Sequence, residues 1–191
     1  MTLQKVVDCN VSRLDIVKSK DKQYIREGLK SLELQTDWIT LGKYPLPSTK
    51  FVKNTDTSMS LTIPLDEKSS LYEFFNTLDT FVESKNLIPN KSLNKFIKRK
   101  DDNIFLKMKL YITTHIFLDK NTQPEINHSI QDFYKYFKEY DEIRIIFSIG
   151  KLYEINQEYG FTPYAMRIQI KQSSINEIQF MQSDTENSND T

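Results

Sequence analysis

Residues 104–112 read Ile-Phe-Leu-Lys-Met-Lys-Leu-Tyr-Ile. Ile104, Leu106, Met108, Leu110 and Ile112 recur at every second position, and Phe105, Lys107, Lys109 and Tyr111 stand between them. Successive side chains of a strand point to opposite faces, so this alternation predicts a half-buried strand. Its aliphatic face belongs to a core. Its other face interleaves rings with ammonium groups.

The same period recurs on both sides of this stretch. Met59, Leu61, Ile63 and Leu65 alternate with Ser60, Thr62 and Pro64, and Pro64 suits a strand end or an edge. Leu32, Leu34 and Trp38 share a face of 32–39. Residues 143–149 form a more buried run, ended at Gly150 by a turn into 151–155. Tyr164, Met166, Ile168 and Ile170 share a face of 164–170. Two segments have helical period instead. Over 69–84, Leu71, Phe74, Phe75, Leu78, Phe81 and Val82 follow i, i+3, i+4 spacing, with Ser70 and Glu73 set as a capping box. Ile130, Phe133, Tyr134, Phe137 and Tyr140 repeat the spacing behind Ser129 and Asp132. Both aromatic stripes are expected to face a core.

Strands and helices do not alternate singly, which argues against a doubly wound parallel sheet. The expected fold is mainly β with helical insertions, an OB-like antiparallel barrel with a helix between its middle strands. It is expected to occupy residues 1–171 as one domain. Residues 172–191 hold four acids and no base, and are expected to be a flexible acidic tail.

The chain has 191 residues and a formal net charge of zero, which excludes a uniformly basic polyanion binder. The charge is segregated, however. Residues 85–109 hold eight basic and two acidic groups, whereas 54–84 hold one basic and six acidic. A neutral chain can bind a polyanion if its basic segments meet on one face. No run is long and apolar enough for a membrane span, and the first residues lack a signal-peptide core. A single cysteine, Cys9, permits no internal disulfide and points to a reducing, intracellular setting.

Motifs of catalysis are lacking. The two histidines, His115 and His128, fall in no metal-ligand spacing, and no P-loop or nucleophile elbow occurs. Asp66, Asp79, Asp141 and Glu142 are expected to be solvated surface charge. The expectation is a non-enzyme with no cofactor and no metal. Binding chemistry is better represented. The outward face of 104–112 can stack bases on Phe105 and Tyr111 and pair phosphates with Lys107 and Lys109. Lys98, Arg99 and Lys100 extend that cationic track, and Trp38, Tyr44, Lys50, Phe51 and Lys53 form a second aromatic and basic cluster.

Leu32 to Trp38 (LELQTDW), followed by Gly42-Lys43-Tyr44-Pro45-Leu46-Pro47, resembles a strand and turn of the single-stranded-DNA-binding OB-fold proteins of large DNA viruses. Those are distant relatives of the single-stranded-DNA-binding proteins of some phages. In order along the chain, the strand at 59–65, the helix with Leu78-Asp79, the basic linker and the strand 105–110 are similar too. So is Tyr159-Gly160-Phe161-Thr162-Pro163-Tyr164-Ala165. Asp37 stands where that family tends to have proline. The resemblance implies sequence-tolerant binding of single-stranded DNA in viral replication, recombination or repair. It also implies contacts to replication proteins through the acidic tail, and self-association is compatible with it. The implied setting is the host cytoplasm or nucleus, in a viral replication compartment. The alternative is a virion structural or assembly protein that uses the same barrel to dock proteins.

Overall fold

Leu106, Met108 and Leu110 are fully buried, and the strand they build is an interior strand of the main sheet, one place from its end. The computed structural model describes residues 3–171 apart from Leu29, Asn54 and Lys120. Its first strands are β1 (Gln4–Lys5), β2 (Leu14–Ser19), β3 (Lys22–Glu27), β4 (Lys30–Ser31), β5 (Leu34–Gln35), β6 (Ile39–Thr40) and β7 (Ser58–Pro64). After helix α1 (Ser70–Ser84) come β8 (Ser92–Leu93), β9 (Ile97–Lys100), β10 (Asn103–Tyr111) and β11 (His115–Leu118). The single-turn helix α2 (Phe133–Tyr136) precedes β12 (Glu142–Ile149), β13 (Tyr153–Ile155), β14 (Glu158–Gly160) and β15 (Pro163–Lys171).

Five stretches carry the OB frame in chain order: β5 with β6, then β7, β10, β12 and β15. β7 lies antiparallel to β10, from Phe105 opposite Pro64 to Tyr111 opposite Ser58. β10 meets β15 in parallel at Lys109 and Tyr164, and β12 runs antiparallel to β15. β5 and β6 pair with β12. The main sheet is thus mixed where an antiparallel one was expected. Its parallel pairs follow from long connections, such as the one that carries β11, α2 and β12 between β10 and β15. No ladder joins the two ends of the path, β1 and β7, among the described residues. Beside β7 the chain beyond β6 takes that place, and the Thr62 N–H donates to the Pro45 carbonyl at 2.7 Å.

Helix α1 stands between the second and third of these strands. Its buried stripe is Leu71, Phe74, Phe75, Leu78 and Val82. Phe75 packs against Phe96 and Phe147, with ring centroids 5.2 and 5.7 Å away. The cap is Ser69 rather than Ser70, its hydroxyl accepting from the Tyr72 N–H at 3.2 Å. Asp79 lies on the buried side of α1 and is no solvated charge. Its carboxylate accepts from the Phe96 and Ile97 N–H groups at 2.7 and 3.2 Å and so fixes the start of β9. Asp141 is buried as well, accepting from the Lys138 N–H at 2.9 Å.

Several expected elements differ. β10 ends at Tyr111, and Ile112 is exposed in the following turn; Thr114 turns inward instead, its hydroxyl donating to the Ala165 carbonyl at 2.9 Å. In β15 the register against β12 shifts between Ile146 and Phe147, leaving Met166 unopposed. The bulge buries Ala165 and turns Tyr164 outward, off the face of Ile168 and Ile170. The helix expected over 130–140 shrinks to one 3-10 turn and α2. Its start is as expected, with the Asp132 carboxylate accepting from the Ser129 N–H at 2.8 Å. Phe137 then adopts extended backbone and Tyr140 a positive φ, so Tyr140 is exposed rather than core. On the 32–39 stretch the buried partner of Leu32 and Leu34 is Thr36, bonded through its hydroxyl to the Ile145 N–H, and Trp38 lies half-buried at the edge. The expected acidic tail, 172–191, lies outside the described residues.

Candidate nucleic-acid interface

Cross-strand partners share a face, so register assigns the outward side of β7 and β10. Ser58, Ser60 and Thr62 lie opposite Tyr111, Lys109 and Lys107. With Phe105 they form a face whose reverse is the buried Met59, Leu61, Ile63, Leu106, Met108 and Leu110. From 105 to 111 it is about 20 Å long. Across β9 the partners of Phe105 and Asn103 are Lys98 and Lys100, which place two more ammonium groups on the same side.

Arg99 falls between them and faces the other way. Its guanidinium donates to Glu67 Oε1 at 2.9 Å and to the Tyr72 hydroxyl at 2.8 Å, against α1. It does not join the track. Lys107, Lys109 and Lys100, by contrast, enter no ion pair among the described residues. Lys98 is bonded to the Asn94 side chain. Burial pushes its ammonium below the ordinary lysine range, and the charge of Lys107 adds to that push against the opposing pull of Glu158 and Asp79. Two like charges held this close favour an anion between them.

The loop from β6 to β7 borders this face. Leu41, Pro45 and Val52 are buried and pin it. The Tyr134 hydroxyl donates to the Pro47 carbonyl at 2.7 Å, and the Lys53 N–H to Asp56 at 2.8 Å. Between these anchors Tyr44 and Phe51 are 76% and 80% exposed, more than any other large apolar side chain among the described residues. Lys43 stands over the Tyr44 ring at 5.6 Å, and Lys50 and Lys53 flank Phe51 in the chain. The hydrogen bond from Thr62 to Pro45 sets this loop one strand spacing from β7, so Pro45, Thr62 and Lys107 lie in one row.

The loop from β12 to β15 carries the β13–β14 hairpin, which docks on 91–94. The Asn94 N–H donates to the Tyr159 carbonyl at 2.7 Å, and Lys91 pairs with Glu154 at 2.6 Å. Gly160 makes this approach possible, because a Cβ there would come within 2.9 Å of the Asn94 carbonyl.

Trp38 is not part of the β7–β10 face. Arg144 and Lys171 stand over its ring at 5.0 and 4.0 Å, at the far end of β15. Tyr164 belongs to the face although the alternation pattern did not assign it. Its ring meets Tyr111 edge-on at 6.1 Å, because the bulge in β15 turns it outward. The structure therefore brings together Lys98, Lys100, Phe105, Lys107, Lys109 and Tyr111, sets Tyr44, Lys50, Phe51 and Lys53 on the bordering loop, and leaves Arg99 and Trp38 elsewhere. Among the described residues no group of three or more His, Cys, Asp or Glu is placed to hold a metal ion, and no helix is long and apolar enough to cross a membrane.

No family model matches this sequence, and no curated protein matches it. Solved structures do resemble it. The single-stranded DNA-binding protein of bacteriophage Enc34, as a C-terminal truncation, superposes with a TM-score of 0.50 at 11% identity, over 85% of this chain and 96% of that one. The same phage protein in complex with ssDNA gives 0.50 at 10% identity, over 84% and 96%. The single-stranded DNA binding protein gp2.5 of bacteriophage T7 gives 0.44 at 10% identity, over 84% and 100%. By the Enc34 superpositions, the fold is the OB type found in a phage single-stranded-DNA-binding protein, the more distant branch of the resemblance read from the sequence.

Proposed function

We propose that this protein binds single-stranded DNA without sequence preference, along the outward face of β7 and β10 and the loop between β6 and β7. In OB-folds the face of the second and third strands and the loops after the first and fourth are where oligonucleotides bind. Here those places hold the lysines and the exposed rings. The observation that carries the reading is that Lys107 and Lys109 alternate with Phe105 and Tyr111 on one sheet face, with no carboxylate paired to either lysine among the described residues. Rings accept any base by stacking, and ammonium groups meet phosphates as point charges, so the chemistry tolerates any sequence. Resemblance of the fold to the Enc34 protein, which has been solved with ssDNA, supports the same use.

In this reading the protein works inside the cell without catalysis or cofactor, in replication, recombination or repair of a viral genome. Residues 1–171 are the binding domain. The acidic segment 172–191 contacts replication proteins. Fluorescence anisotropy with labelled oligo-dT and a mixed-sequence oligonucleotide at low salt tests the reading. Comparable affinity for both supports it; no binding to either discards it.

A further inference from the structure

Away from the β7–β10 face, a cavity of 340 Å³ opens on the outer side of β12 and β15. Two adjacent cross-strand rows build it. In one, Gln35, Ile146 and Arg167 lie side by side on β5, β12 and β15. In the next, Arg144, Gln169 and Phe117 lie on β12, β15 and β11, spanning about 10 Å. Among the described residues no carboxylate lines the cavity.

Arg144 and Gln169 are held in place. The Gln169 amide donates to the Asp119 carbonyl at 2.9 Å, and its oxygen accepts from Arg144 at 2.7 Å. Gln169 thus orients the guanidinium, which also stands over Trp38. A guanidinium has five donors, so Arg144 keeps others for a ligand. Arg167 is exposed and enters no ion pair among the described residues. The Phe117 ring is half-buried at the far side of the cavity.

One guanidinium held by Gln169 and a second, exposed one, with a ring beyond them, match a phosphate joined to a base. We propose that this cavity binds one nucleotide unit, its phosphate on Arg144 and Arg167 and its base against Phe117. The unit comes from the strand lying on the β7–β10 face, and to that extent the inference rests on the function proposed above. β15 supplies the path: Tyr164 touches Tyr111 at the end of that face, and Arg167 follows about 10 Å further along the strand.

The full chain is tested by anisotropy with oligo-dT of about 6 and about 16 nucleotides, within the range an OB-fold covers. Arg167→Glu is compared with the wild type and with Arg13→Glu, an exposed charge outside the patch. Arg167→Glu is expected to weaken the longer oligonucleotide about fivefold or more. It should also lower the log–log salt slope by about 0.7 while leaving the shorter one within about twofold. Phe117→Ala should weaken the longer one about fivefold with no change of slope. An unchanged affinity for the longer oligonucleotide in both variants, an equal loss on both lengths, or the same loss in Arg13→Glu would overturn the pocket and leave the proposed function standing. If the wild type binds neither length, the proposed function fails, and thymidine monophosphate followed by Trp38 emission decides the pocket alone. A saturable change lost in Arg167→Glu then supports a free nucleotide as the source of the unit, and no change overturns the proposal.

Discussion

Two regions of the main sheet's surface combine rings with cations, and they differ in what the cations do. On β10 and its bordering loop, Lys107, Lys109, Tyr44 and Phe51 point outward and Lys107 and Lys109 have no acidic partner among the described residues. At the far end of β12 and β15 the cations are already engaged. Lys171 pairs with Glu142 at 3.1 Å, Arg144 bonds to Gln169, and both stand over Trp38. The residue types are alike. The difference lies in whether the chain supplies the partner. An unpartnered lysine face takes any strand, whereas an oriented arginine selects geometry.

Three variants probe that contrast, in falling order of effect. The double change Tyr44→Ala, Phe51→Ala removes the two most exposed rings, and at 1–3 kcal/mol per stacked base it should weaken oligo-dT binding about thirtyfold or more. Circular dichroism and urea melts should hardly change, since neither ring is packed. A loss below about threefold would move base stacking off that loop.

Asp79→Asn addresses what holds β9, and with it Lys98 and Lys100, against the face. It should cost about 1–3 kcal/mol in urea unfolding, because an amide oxygen replaces a carboxylate at one buried and one part-buried N–H donor. Burial raises the Asp79 carboxyl above its usual range, against the opposing pull of those N–H groups and of Lys95 and Lys98. A carboxyl raised in the folded state binds its proton more tightly there than in the unfolded chain. Its contribution to stability therefore falls as pH rises from the ordinary carboxylate range through the raised value. The advantage of the wild type over the Asn variant should be larger at about pH 4 than at about pH 7. The opposite trend in the melts contradicts the burial of this group.

Arg99→Ala has the smallest expected effect, an affinity within about twofold of wild type and an unaltered salt slope. Its guanidinium is spent on Glu67 and Tyr72, and an exposed pair of this kind adds little stability. A slope lowered by about 0.7 would instead return it to the phosphate track.

Period-two alternation makes β7, β10 and the outward face of β10 legible in the sequence, because one buried face fixes the register of a strand. The helix α1 was legible for the same reason, through its stripe of leucines and phenylalanines. What escaped depends on contacts distant in the chain. The bulge at Met166 arises from pairing with β12, and only that pairing turns Tyr164 toward Tyr111. Arg99 and Lys98 are adjacent in a basic run, and only the register of β9 with β10 sends them to opposite faces. Trp38 reads as a stacking residue until Arg144 and Lys171, more than a hundred residues on, are seen above its ring. Asp79 reads as surface charge until β9 delivers two N–H groups to it.

The most direct test is a salt titration of single-stranded oligonucleotide binding by the wild type, by Lys107→Glu with Lys109→Glu, and by a charge-matched control, Lys18→Glu with Lys22→Glu, on the β2–β3 hairpin. Affinity of the wild type should fall with salt at about 0.7 log units per phosphate contact, and the β10 double variant should lose about 1.4 of that slope together with most of its low-salt affinity. The control should keep its slope. Equal losses in the two double variants, or an undiminished slope without Lys107 and Lys109, would contradict a phosphate track on β10.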